Sequence, residues 1–211
     1  MTINLKVLDI SHHNTGPNGG PIDFDRIYSF GIRGIIHKST QGTGMVDNMY
    51  ASRKQAALRA NLLFGAYHFA DASDPEEQVQ HFLDVVSPEQ TTLVALDFEP
   101  NGSNTMTLDG CRKFLHSVED SIGRKAVLYS GNLIKETLGD DSDKYLSAHR
   151  LWNAQYGPVC KVPAAWDSAW LWQFSDGNVN THGIKVPGIS GQVDMNSYED
   201  SDEALTEDWA S

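Results

Sequence analysis

Cysteine is scarce: Cys111 and Cys160 are the two thiols in 211 residues, and neither stands in a Cys-x-x-Cys or Cys/His ligand spacing. That argues against a disulfide framework and a zinc site, and buried thiols are the expected state. No run approaches the roughly 18 consecutive apolar residues of a membrane span, and Met1 to Val7 lacks the basic start and long apolar stretch of a signal peptide. A chain made in the cytoplasm without a leader is the expectation. Positive charge is also short: 16 Lys and Arg face 28 Asp and Glu, a net charge of −12. Such a surface repels phosphate backbones and anionic lipid, so neither nucleic acid nor membrane is an expected partner. Internal repeats and linkers rich in Ser, Pro or Gly are missing too, so residues 1–211 are expected to form a single domain.

What remains is ordinary globular material, 40% apolar and 21% charged. The acidity is uneven. Glu199, Asp200, Asp202, Glu203, Glu207 and Asp208 contribute half of the imbalance to a tail, 199–211, without one basic residue. A solvated tail or a short surface helix is expected there, with Leu205 and Trp209 at i, i+4 on the protein side.

Eight short segments rich in β-branched and aliphatic residues read as strands: 5–10, 34–37, 64–68, 93–98, 126–129, 151–154, 169–174 and 192–196. Helical spacing fills the first five gaps, at 23–30, 48–60, 75–86, 108–122 and 131–138; Asp74-Pro75-Glu76-Glu77 has the chemistry of a helix start. After Leu138 the helical period stops. Strand–helix repetition favours parallel pairing, and eight strands close a small barrel. The expected fold is α/β: one TIM-like barrel of five β/α units followed by three strands, with an incomplete helical coat.

Chemistry in a parallel barrel sits at the C-terminal strand ends. The first strand ends in Asp9, the fourth delivers Asp97 and Glu99, and the eighth carries Asp194. Alternation puts Asp97 and Glu99 on one face, and Pro100 ends the strand. Two solvated acids are the ordinary reading of a lone Asp-x-Glu, but the Leu93-Val-Ala-Leu lead-in and Pro100 weigh against exposure. Mutual repulsion should then raise the pKa of one acid, with Glu99 as proton donor and Asp97 ionised behind it. Rings and amides gather near the later strand ends, at Tyr67, Tyr129, Trp152, Gln155, Tyr156, Trp166, Trp170, Trp172 and Gln173. They suit a sugar, whose C–H faces stack and whose hydroxyls need fixed partners. Core filling serves equally for any one ring, and Trp152 and Trp172 are the first candidates for it. His12, His13, His37 and His68 show no His-x-His pair or HExxH helix, so hydrogen-bonding roles are expected rather than a metal centre. Neither metal nor cofactor is expected.

In order, Asp9-Ile-Ser11, Lys38-Ser-Thr-Gln-Gly42, Gly65-Ala-Tyr-His-Phe69, Asp97-Phe-Glu99, Trp152-Asn-Ala-Gln-Tyr156, Trp172-Gln-Phe-Ser175 and Val193-Asp-Met-Asn196 resemble the motifs of family 25 glycoside hydrolases. These are the muramidase lysozymes that include many phage endolysins. Each motif is short, but seven in order cover nearly the whole chain. The resemblance implies a β5α5β3 barrel that cleaves the β-1,4 bond between N-acetylmuramic acid and N-acetylglucosamine in peptidoglycan. It implies Glu99 as general acid, Asp97 as partner carboxylate, and Asp9 and Asp194 as acids shaping the site. Tyr67, Tyr129, Gln155, Trp172 and Lys38 would bind the sugar chain. Acids two residues apart share a face, which fits attack by the substrate's own 2-acetamido group with retention better than a flanking pair; attack by water with inversion is the alternative. A catalytically silent glycan-binding barrel is the competing function. A monomer is expected, acting on the wall as a phage or prophage lysin released through a holin-type pore. The departures are His13, where relatives often carry an aromatic residue, and a loop enlarged by Thr15 to Gly20.

Overall fold

The computed structural model describes residues 2–211. Strand and helix alternate through β1 (Leu5–Ile10), α1 (Phe24–Phe30), β2 (Gly34–Gln41), β3 (Met45–Val46), α2 (Tyr50–Arg59), β4 (Leu63–Phe69), α3 (Pro75–Val86), β5 (Leu93–Asp97), α4 (Leu108–Ile122), β6 (Val127–Ser130) and α5 (Asn132–Leu138). The strands β7 (Leu151–Ala154), β8 (Leu171–Ser175) and β9 (Asp194–Ser197) follow without helices between them, and α6 (Asp202–Asp208) ends the sequence of elements. The sheet runs β1-β9-β8-β7-β6-β5-β4-β2 and closes through β1–β2. This is an eight-stranded barrel of five β/α units and three strands, and β3 adds a short antiparallel hairpin to β2.

Local chemistry explains the helix starts. Asp74 caps α3 by accepting from the N–H groups of Glu76 and Glu77, ahead of Pro75 in the first turn. Thr107 caps α4 by accepting from Gly110 N, and Gly123 ends it at φ 70°.

One expectation fails in an informative way. Parallel pairing holds from β1 to β2 and on to β8, but β9 is antiparallel to both its neighbours, β8 and β1. Parallel strands need a crossover back to the far end of the barrel. The connection 176–193 carries only a short 3-10 turn at Val179–Thr181, so the chain re-enters from the end at which β8 left it. Asp194, the first residue of β9, therefore stands level with the C-terminal ends of the other strands, paired in register with Asp9.

Period-two alternation divides the core into two layers. Val7, Ile36, Leu93, Ala95, Val127, Tyr129, Trp152 and Leu171 fill the barrel, while Leu8, Ile35, Leu96, Leu128, Trp172 and Phe174 meet the helices outside. The base is plugged by the acidic tail, which forms a helix as expected. Leu205 and Trp209 join the interior cluster, and the Trp209 indole N–H donates to Phe64 O at 3.0 Å. Gly34 is needed beneath that ring, since a Cβ there would lie 2.6 Å from it. Asp202 ties α6 to Lys6 and Arg33, each at 2.6 Å.

Candidate active site

The inward residues at the mouth are Asp9 on β1, Lys38 on β2, Tyr67 on β4, Asp97 at the end of β5 with Glu99 two residues beyond it, Tyr129 on β6, Gln173 on β8 and Asp194 on β9, with Asn196 one step deeper. The same alternation that fills the barrel with apolar chains below delivers polar ones here. Asp9 and Asp97 are 7% and 6% exposed, and Glu99 and Asp194 are partly open. Beside Glu99 a cavity of about 400 Å³ runs along Pro100, Tyr129, Gly131, Asn132, Ala154, Gln155 and Tyr156. A crevice of about 520 Å³ at the opposite end of the barrel, around Arg150, Trp166, Trp170 and Tyr198, is remote from these acids.

The four acids are held differently. Asp9 Oδ2 accepts from Gln173 Nε2 at 3.1 Å and from Asn196 Nδ2 at 2.8 Å. Asp97 Oδ1 is buried with no hydrogen-bond partner among the described residues. Burial is the main force on all four carboxyls, and like charge adds to it for three. Asp194 is pushed up to about 8, by burial and then by Asp9, Asp176 and Glu99. Glu99 is raised by burial and then by Asp9, while Lys38 pulls it down. Asp97 is raised well above its ordinary value, by burial first and then by Glu99, Asp9 and Asp194, against Lys38. Asp9 rises only to about 6, because its two amide donors favour the anion. Removal from water thus comes first, and the repulsion expected between the pair adds to it at Asp97. Burial and the charge of Glu99 favour the protonated form of Asp97.

Lys38 is the cation of this cluster. Its ammonium donates to Gln41 Oε1 at 2.7 Å and lies 4.5 Å from the Phe69 ring centre. Tyr67 stands edge-on to Trp152 at 6.3 Å, and Tyr129 meets the same indole at 4.6 Å. Gln155 lines the cavity, with Oε1 accepting from Lys135 Nζ at 2.8 Å. An ammonium only donates, so this contact turns the Gln155 amide nitrogen away from Lys135.

Trp172 does not face the cleft. It is fully buried in the layer between barrel and helices, its indole N–H donating to Gln155 O at 2.6 Å. Its neighbour Gln173 points inward, and alternation forbids both from doing so. Of the nine residues that the family resemblance assigns to the site, the barrel brings the other eight to one end, whereas Trp166 and Trp170 stand at the opposite end. His37 and His68 are also outward and buried; His68 bridges Thr40 Oγ1 and Gln78 Oε1. Sequence reasoning gave no part in the site to Asn196 or Lys135. Asn196 was within reach, two residues beyond Asp194 on the same face of β9.

Clustered carboxyls with raised affinity for protons, aromatic walls and an open cavity define a glycoside hydrolase, able to protonate a leaving oxygen and to stabilise positive charge on a sugar. Residues 8–184 match the family "Glycosyl hydrolases family 25", and the chain belongs to it. The uncharacterized protein YegX of Escherichia coli strain K12 is 31% identical over 196 residues, covering 87% of this chain and 67% of that protein. Lysozyme M1 of Streptomyces globisporus is 26% identical over 215 residues, covering 95% and 69%. The solved bacterial lysozyme from Streptomyces coelicolor superposes with a TM-score of 0.83 at 25% identity, over 98% of this chain and 97% of that one. Among the described residues no helix is long and apolar enough to cross a membrane.

Proposed function

We propose that this chain is a muramidase whose partner is bacterial peptidoglycan, hydrolysing the β-1,4 bond between N-acetylmuramic acid and N-acetylglucosamine, and that residues 1–211 act as one catalytic domain working as a monomer on the cell wall. The observation that carries the reading is the pairing of Glu99, at the rim of the cavity, with Asp97, whose buried Oδ1 lacks a partner among the described residues. A 2-acetamido group supplies what that oxygen lacks, an N–H donor. A hydrogen bond to the charged form favours it, so sugar binding draws Asp97 toward its anion, its proton passing to solvent while Glu99 keeps its own. Glu99 then protonates the departing glycosidic oxygen while the acetamido oxygen attacks the anomeric carbon, and Asp97 stabilises the resulting oxazolinium-like cation. Water opens that ring with Glu99 acting as base, and configuration is retained. Asp9 and Asp194 set the negative field of the cleft; Tyr67, Tyr129, Gln155 and Lys38 contact the glycan.

The test is incubation with purified peptidoglycan, followed by an assay of new reducing ends and mass spectrometry of the released fragments. Muramic acid at the new termini is expected, and glycan binding without new ends would reject the enzyme. Proton NMR of the fresh product should show the β anomer first; the α anomer first would replace acetamido attack by direct attack of water.

A further inference from the structure

Asp9 is the best-supplied acid of the cleft, and its two donors are themselves locked. Asn196 Oδ1 accepts from the Trp152 indole N–H at 2.6 Å, which leaves the Asn196 amide nitrogen to donate to Asp9 Oδ2 and to Val7 O. Gln173 Oε1 accepts from the Tyr129 hydroxyl at 3.0 Å, which leaves the Gln173 amide nitrogen for the same Asp9 oxygen. An indole N–H can only donate, so Asn196 cannot flip without facing one donor with another. Both amides and Trp152 are buried, where an unmade bond is costly.

We propose that Trp152 and Tyr129 are positioning residues which, acting through Asn196 and Gln173, fix Asp9 as the standing anion of the cleft, and that this anion keeps the proton on Glu99. The charged or titratable groups around Asp9 are Asp194 on β9, Asp97 and Glu99 at the end of β5, Tyr67 on β4, Tyr129 on β6 and Tyr156 beyond β7, with Lys38 on β2 as the cation. Apart from Lys38, all of these are acids, and for each of them Asp9 favours the protonated form. Lys38 favours ionised Asp97 and Glu99. An Asp9 that lost its donors would bind a proton itself, and Glu99 would give its own up more readily.

Two readouts test this, the first independent of the proposed substrate. Carboxyl carbon NMR of the full chain follows each acid through a pH titration, with Asp9 identified by its loss in Asp9→Asn. In Trp152→Phe the Asp9 titration should move up by about one pH unit, the scale of one hydrogen bond to a charged group. In the peptidoglycan assay, which rests on the muramidase reading, the alkaline limb of the kcat/KM profile should move to lower pH in Trp152→Phe. Asp9→Asn should move it the same way, and the double variant should move it no further. Trp166→Phe removes a comparable buried indole bond, to His149 O at 3.0 Å, far from the acids; it should shift neither readout. Tyr129→Phe, which loses only a hydroxyl, gives the same test if Trp152→Phe does not fold. An unmoved Asp9 titration in Trp152→Phe and Tyr129→Phe overturns the inference even if hydrolysis proceeds. Absence of hydrolysis by the wild type overturns the muramidase reading and leaves the NMR result to decide this one.

Discussion

At the base of the barrel opposite charges meet around the C-terminal helix: Asp202 lies 2.6 Å from Lys6 and from Arg33, Tyr198 donates to Asp208, and Arg150 and Arg124 donate to the last carbonyls of α6 and the residues beyond it. At the mouth, four carboxyls crowd with Lys38 as the cation acting on Asp97 and Glu99, Asp9 sits directly opposite Asp194 in the ladder, and one Asp97 oxygen has no hydrogen-bond partner among the described residues. Acids buried side by side are costly to ionise, because each loses water and repels its neighbour, whereas the opposite charges at the base attract. The difference assigns the base to stability and the mouth to chemistry, since local strain of this kind persists where the surroundings over-determine it.

The sharpest way to break that division is Glu99→Gln. Removing a general acid typically costs on the order of 10²-fold in rate or more, whereas thermal stability should hold or rise because the amide cannot carry the charge that burial and Asp9 disfavour there. Turnover assays and calorimetry on the same sample read both. Near-normal turnover would take Glu99 out of the mechanism.

Trp209→Ala should show the converse at the base. Truncating a buried tryptophan leaves a cavity and typically costs about 3–5 kcal/mol, here with loss of the indole bond to Phe64 O. Denaturant titration measures that loss. Below the transition, kcat should match wild type, and a parallel fall in kcat would mean that the two ends are coupled.

Much of this contrast is legible in the sequence, because it follows from period two. Leu93-Val-Ala-Leu-Asp97-Phe-Glu99 announces an inward stripe that turns from apolar to acidic, and Leu205 with Trp209 announces the plug. The direction of β9 is not legible in that way. Alternation is the same read up or down a strand, so Asp194 reached the mouth through a loop that fails to cross over, which composition does not specify. Trp172 shows a second limit. A ring is equally at home on either face of a buried strand, and only the inward phase of Gln173, set by its bond to Asp9, decides between them. Asp97's missing partner belongs to neither pattern, since it depends on what the surrounding side chains do not reach.

Acidity should separate the two ends as well. Asp194 keeps its proton in the folded chain up to about pH 8 but has an ordinary value of 3.8 when unfolded. The folded state therefore binds the extra proton between those values, and its contribution to stability is full below them and lost as pH rises through about 8. Asp202, held below its ordinary range by Lys6 and Arg33, contributes in the opposite sense and weakens only as pH falls through the acid range. Melting temperature should thus rise as pH drops from 8 toward 6, and Asp194→Asn should flatten that slope. An unchanged slope in the variant would show that Asp194 does not carry the mouth's proton.

The smallest effect is expected from Asp202→Asn. Its two ion pairs are short, but Lys6 and Arg33 are 20% and 29% exposed and Asp202 itself 32%. Screening by water and the entropy of holding long side chains reduce such pairs to about 0.2–1 kcal/mol each, less at high salt. Leu205 and Trp209 anchor α6 by burial instead, a contribution that salt does not weaken. A loss comparable to that of Trp209→Ala would mean that charge, not the apolar plug, closes the base. If the loss is small and fades further in salt, the polar tail serves to orient the helix while the apolar residues hold it.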